Sequence, residues 1–333
     1  MAPTPPDEAS EQEHPTPSRR RGWWRAGLEV GAVVIGACLG GVALATLWPM
    51  RNATVANLSR TEAPISLVPA PVQPVTVLVV GLDSDGIPDT FNRAGPEGPA
   101  NADCLMLVRV EAGAPLRILQ VPIELGVNLP GQPEMEALGA SYRDGGVALT
   151  ADVVAAVIGL PDDEPSRFVV MPRKALRTLV DGLGDVDINL TRNLNHRDRR
   201  QGYTVNLQAG RQILNGLQAE QLVRYRPYAQ REQERRLNQQ TLIQAIYDQL
   251  QTPGTLMRVP DLISDLLETV DTDLSRTEWL SLAAAALDSR QPPEITSVSL
   301  AAREGEQPLR QLKADLTRPL WPSNRDRSTL SNE

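Results

Sequence analysis

Nineteen consecutive residues without a charge, Val30 to Trp48, follow a basic cluster made of Arg19, Arg20, Arg21 and Arg25. A helix needs about 20 apolar residues to cross the hydrocarbon of a bilayer, so this run has the length of one span. Arginines on its N-terminal side orient that end toward the cytoplasm, and Trp23, Trp24 and Trp48 suit the two interfaces. Glu29 sits at the cytosolic edge, a short displacement from water. Two other readings compete. Ala43-Leu44-Ala45 resembles a small-x-small cleavage site, although the run is long for a signal peptide, and a buried helix of a soluble domain would not carry the basic flank. The expected organisation is a disordered cytoplasmic tail over residues 1–25, rich in Pro and Glu, and a transmembrane helix over 26–49. A Pro-rich linker over 50–74, an extracytoplasmic domain over 75–305 and a flexible tail over 306–333 complete it. Such a chain is a single-pass protein of the cell membrane.

That topology makes the charge balance informative. The chain has 333 residues with 41 acidic and 33 basic side chains, a net charge of -8. Setting aside the five acids and four arginines of the first 29 residues leaves about -7 for the remainder. An acidic domain outside the cytoplasm is poorly matched to nucleic acid. Two cysteines, Cys38 and Cys104, exclude a disulfide framework, and two histidines, His14 and His196, leave little for a Ser-His-Asp enzyme or a histidine metal site. With 41% hydrophobic residues the chain can still form a substantial core. Chemistry here has to come from carboxylates and arginines.

From residue 75 onward strands and helices alternate. Val75–Val80 is a continuous apolar run ending at Gly81, as in a strand buried on both faces. Strands are predicted at 104–110, 116–122, 167–171, 186–190 and 296–300. Helices are predicted at 147–158, 173–183, 216–225 and 230–250, and a capping box of Ser275 with Glu278 opens another that runs to about 287. The sum is an α/β domain with a central mixed sheet flanked by helices.

Charges gather in two places. Between Arg192 and Arg236 stand ten arginines against four acids. Guanidinium groups are always charged and bind phosphate in a bidentate manner, but a solvated helix face with Glu232–Arg236 pairing would read the same way. Asp83 and Asp85 follow the first strand, Asp103 precedes the second and Glu124 follows the third. Carboxylates in strand-end loops can hold Mg²⁺ with phosphate oxygens, and they can equally be ordinary turn residues.

A resemblance covers this whole stretch. VTVLVVGLDSDG, NADCLMLVRVE, LRILQVPIELGVNLPG, ASYRDGG, LVDGLGDVDINL, AGRQILNGLQAEQLVRYRP and VDTDLSRTEWLSLA follow in order the motifs of the LytR-CpsA-Psr cell-envelope phosphotransferases. The chain resembles that family from about Val75 to Leu300. The resemblance implies a layered α-β-α domain tethered by one span, with a polyprenyl tail buried between sheet and helices. It implies Mg²⁺-dependent transfer of a glycopolymer from a polyprenyl pyrophosphate carrier to a cell-wall glycan. By position, Asp83 and Asp103 become the metal-site acids, and Arg224, Arg226 and Arg235 the catalytic clamp on the pyrophosphate. Arg143, Arg231, Arg236, Gln239 and Glu124 become candidate substrate-binding residues.

Four basic positions of the family pattern are replaced here, by Asp85, Asn101, Ile123 and Asn238. Losing one charge donor of this kind costs about 10²- to 10³-fold in rate. The expected activity is therefore either that of a transferase, with Arg143, Arg231 or Arg236 compensating, or that of a module which binds the lipid-linked glycan without turnover. A transcriptional regulator, the role older family names suggest, fits the outward topology least.

Overall fold

The computed structural model describes residues 69–87, 99–199, 202–226, 232–302, 309–314, 316, 320 and 321. The expected tail, span and most of the linker lie outside them. Among the described residues no helix is long and apolar enough to cross a membrane.

In chain order the strands are β1 (Val75–Leu82), β2 (Ala102–Val110), β3 (Arg117–Val121), β4 (Gly126–Val127), β5 (Glu136–Ala137), β6 (Arg167–Met171), β7 (Val186–Leu190), β8 (Leu194–Asp198), β9 (Tyr203–Leu207), β10 (Gly210–Leu214), β11 (Asp271–Thr272) and β12 (Glu294–Ser297). The helices are α1 (Ser141–Ile158), α2 (Arg173–Gly182), α3 (Gly216–Arg224), α4 (Glu232–Leu250), α5 (Val259–Leu267) and α6 (Arg276–Asp288). A single helical turn, Pro253–Leu256, joins α4 to α5.

The central sheet has the order β11-β6-β1-β2-β3-β12. It is mixed: β1 runs parallel to β6, β12 parallel to β3, and the remaining pairs are antiparallel. Alternation along β1 sends Leu78, Val80 and Leu82 to one face, where α1 completes the largest core. Val77 and Val79 go to the other face, toward Leu282 and Ala285 of α6. Another core, built on Leu183, Leu214 and Leu222, joins α2–α5 to the ribbons β7–β10 and β8–β9. The expected mixed sheet between helices is the observed one.

Boundaries moved where local chemistry was decisive. The helix predicted from residue 147 is preceded by a further turn from Ser141, separated by a break at Gly145 and Gly146, where Gly146 has φ 65°. The last strand ends at Ser297 rather than running to 300. Of the expected flexible tail over 306–333, the described residues pack on the domain: Arg310 bridges Leu125, Leu312 bridges Leu300, and Trp321 is buried in the main core. Leu312, Leu320 and Trp321 are apolar side chains within a Pro- and charge-rich segment, and composition averaged over the segment hides them.

Candidate active site

The sheet topology brings the ends of four strands to one edge. Gly81 of β1 pairs with Met171 of β6 and with Cys104 of β2, and Leu105 pairs with Val121 at the end of β3. Asp83, Asp103, Glu124 and Arg173 therefore emerge beside one another from segments far apart in the chain.

Asp103 owes its position to a bulge. Gly81 faces Cys104 and Leu82 faces Ala102, so Asp103 has no partner on β1. Such an extra residue re-aims its side chain out of the ladder, here toward α4, where Arg235 Nη1 donates to Asp103 Oδ1 at 2.9 Å. Partial burial raises the Asp103 carboxyl, but Arg235, with Arg226 and Arg224 beyond it, outweighs that and holds it below the usual range. Burial pushes the neighbouring Cys104 thiol up to about 12, so this cysteine is a packed, unreactive group. Asp83 Oδ1 accepts the Asn101 N–H at 2.9 Å, while the Asp83 N–H donates to the Asn101 carbonyl.

Arg235 is 5% exposed and is held at 2.8 Å by Glu232, which also pairs with Arg226. Arg236 Nη1 donates to Glu124 at 2.5 Å. Gln120 on β3 is fully buried and joins the sheet to α4: its Nε2 donates to Gln239 and to the Arg236 carbonyl, and Gln240 donates to its Oε1 at 2.7 Å. Arg224 pairs with Glu220 at 2.8 Å, and its guanidinium stacks 3.8 Å from the Tyr203 ring centroid.

Between the sheet and α2–α4 lies a cavity of about 310 Å³. Its walls are apolar: Val79, Met106, Val108 and Ile118 from the sheet, Leu176, Leu179, Val223, Leu242 and Ile246 from the helices. Asp103, Arg173, Glu220, Arg224, Arg235 and Gln239 supply its polar groups. An apolar slot with convergent charges suits an amphiphile with a long tail and an anionic head.

The predicted residues divide accordingly. Arg224, Arg235, Gln239 and Asp103 line the cavity, and Arg236 and Glu124 line an adjoining recess with Asp103, Arg235 and Gln239. Arg226 joins through Glu232, and Asp83 lies in the adjoining loop. Arg143 pairs with Asp144 in the first turn of α1 and is not among the residues lining the cavity. Arg231 lies outside the described residues. Arg173, Arg177, Glu220 and Glu232 were missed. The first two follow β6, a strand parallel to β1, and the strand-end rule that singled out Asp83 would have reached them had that pairing been known.

Among the described residues no group of three or more His, Cys, Asp or Glu could hold a metal. Asp83 and Asp103 stand near the same strand edge, and two carboxylates suit Mg²⁺ only when phosphate oxygens complete its shell.

The LytR_cpsA_psr family matches residues 51–311 of the chain. A polyisoprenyl-teichoic acid–peptidoglycan teichoic acid transferase, TagU, from Bacillus licheniformis is 24% identical over 250 residues, covering 73% of this chain and 76% of that protein. TagU from Bacillus subtilis is 25% identical over 254 residues, covering 74% and 76%. The fold is shared with B. subtilis TagV (TM-score 0.58, 19% identity, 78% of this chain and 96% of that one). It is shared also with the LytR-Csp2A-Psr enzyme from Actinomyces oris (TM-score 0.56, 21% identity, 74% and 92%).

Proposed function

Because the chain belongs to the LytR_cpsA_psr family, we propose that it transfers a glycopolymer from a polyprenyl pyrophosphate carrier onto a cell-wall glycan. The observation that carries this reading is the apolar cavity with Arg173, Arg224 and Arg235 among its lining residues, which suits the tail and the head of such a carrier. In the reaction an acceptor hydroxyl oxygen forms a bond to the phosphorus that bears the glycan. The bond from that phosphorus to the bridging oxygen breaks, polyprenyl phosphate leaves with that oxygen, and the hydroxyl proton passes to solvent. Charge on the phosphoryl oxygens is what the protein has to stabilise.

Arg235 and Arg224, both held in place by buried carboxylates, are oriented to take that charge without reorganising. Arg226 supports the cluster through Glu232, and Arg236 and Gln239 fix α4 to the strand end. Mg²⁺ held by Asp83, Asp103 and phosphate oxygens would neutralise further charge on the pyrophosphate. The segment over residues 26–49 would anchor the chain with its N-terminus in the cytoplasm and the domain outside, where the wall acceptor lies.

A second reading, binding without turnover, is favoured by Ile123 and Asn238 at positions where the family pattern is basic, and by the carboxylates that already occupy Arg224 and Arg226. One assay separates the two. The full chain in detergent micelles receives a short-chain polyprenyl pyrophosphate glycan, Mg²⁺ and a peptidoglycan acceptor, and lipid release is followed by chromatography. A transferase gives metal-dependent release that falls at least 10²-fold in Asp103→Ala and Arg224→Ala. Tight binding with no release makes the chain a binding module.

A further inference from the structure

Glu220 is 5% exposed, and three guanidinium groups converge on it. Arg224 lies at 2.8 Å, Arg173 at 3.8 Å, and Arg177 donates a short hydrogen bond. Even with Asp85, which meets two of them, three permanent cations face two carboxylates, an excess of one positive charge beside the cavity wall. Arg173 and Arg177 are four apart on α2 and share a face of that helix. Their place is set by close packing: a Cβ on Gly216, at the start of α3, would lie 2.5 Å from the Arg177 carbonyl oxygen. Only glycine lets α3 approach near enough for Glu220 to meet both arginines.

The same pair holds a second carboxylate of different character. Asp85 lies in the loop after β1, and its side chain is 55% exposed. It takes Arg177 at 3.0 Å and approaches Arg173 Nε at 3.5 Å. That Nε is buried and has no hydrogen-bond acceptor among the described residues. A guanidinium carries five donors, so Arg173, which stands in the cavity wall with Glu220 and Arg224, retains capacity for an oxyanion, and Arg177 stands behind it on the same two carboxylates.

We propose that Arg173 and Arg177 form a second arm of the headgroup site for a prenyl pyrophosphate, and that Asp85 competes with the ligand for that arm. A phosphate oxygen offers the same lone pairs as the Asp85 carboxylate with more charge, so it displaces an exposed side chain held only by screened contacts. Glu220, buried and paired on three sides, stays as the hub. This inference rests on the transferase reading only for the class of ligand.

Because Asp85 and the arginines act in opposite directions, the test has a sign. Farnesyl pyrophosphate is titrated into the full chain in detergent micelles by calorimetry, against matched micelle blanks, with farnesol as the probe lacking a headgroup. Arg173→Gln and Arg177→Gln should each weaken farnesyl pyrophosphate about 10-fold and leave farnesol unchanged. Asp85→Asn should tighten the pyrophosphate several-fold at low salt, a gain that misfolding cannot produce. Unchanged affinity in both arginine variants, or weakening in Asp85→Asn, overturns the proposal while binding by the wild type keeps the carrier reading intact. A wild type that prefers farnesol, or binds neither, overturns both.

Discussion

Arg235 and Arg211 make the same kind of contact with opposite consequences. Arg235 lies between Asp103 at 2.9 Å and Glu232 at 2.8 Å, nearly excluded from water. Arg211 pairs with Asp187 on an exposed ribbon. Removing one partner of a buried cluster leaves uncompensated charge in a medium that solvates it poorly. Arg235→Ala should therefore lower unfolding stability by about 3 kcal/mol in a urea titration, while Arg211→Ala leaves the midpoint where it was, since exposed pairs contribute little. Equal effects of the two variants would mean that water reaches the Arg235 cluster. The arginine window of the sequence contained both residues and offered no means of telling them apart: 132 positions separate Arg235 from Asp103, and only the folded sheet joins them.

At the scale of elements, the opening of α6 was legible because a capping box is local. Ser275 and Glu278 exchange side-chain and backbone hydrogen bonds as their spacing requires. The Ser275 N–H and hydroxyl, with Arg167, push the Glu278 carboxyl down to about 2 from its ordinary 4.5. A depressed folded pKa contributes stability that is present above the unfolded value and lost as pH falls through the folded one. The difference in melting temperature between wild type and Glu278→Gln should thus be largest above about pH 4.5 and vanish toward pH 2. A difference that persists unchanged to pH 2 would exclude this account. The bulge at Asp103 had no comparable signal, because pairing two residues against one is decided by the partner strand.

For the whole molecule, the return of the C-terminal segment is what sequence composition concealed. Trp321 is 4% exposed and packs with Leu300, Leu312 and Leu320 on the core beneath α1. Its indole N–H has no hydrogen-bond partner among the described residues, so its contribution is packing. Trp321→Ala should cost about 3 kcal/mol of unfolding stability, as for other large-to-small changes in a core. A variant indistinguishable from wild type in guanidinium unfolding would return the segment to the status of a loose tail.

Patterns of short range were decided by sequence alone: β1 and β6 as apolar runs, α4 as a long helix, the α6 cap, and the order of motifs that places the chain in its family. Hydrophobic period and capping chemistry act over a few residues and survive whatever the rest of the chain does. The tertiary structure decided which charges meet. The sequence leaves Asp85 open between a metal-binding carboxylate and a turn residue, until β6 lies parallel to β1 and brings Arg173 and Arg177 beside it. Glu220 is one of four acids in the arginine window of the sequence, and only the packing of α3 on α2 sets it beside Arg173 and Arg177. Ion pairing depends on distance and desolvation across elements, and neither quantity is written in the spacing along one strand or helix.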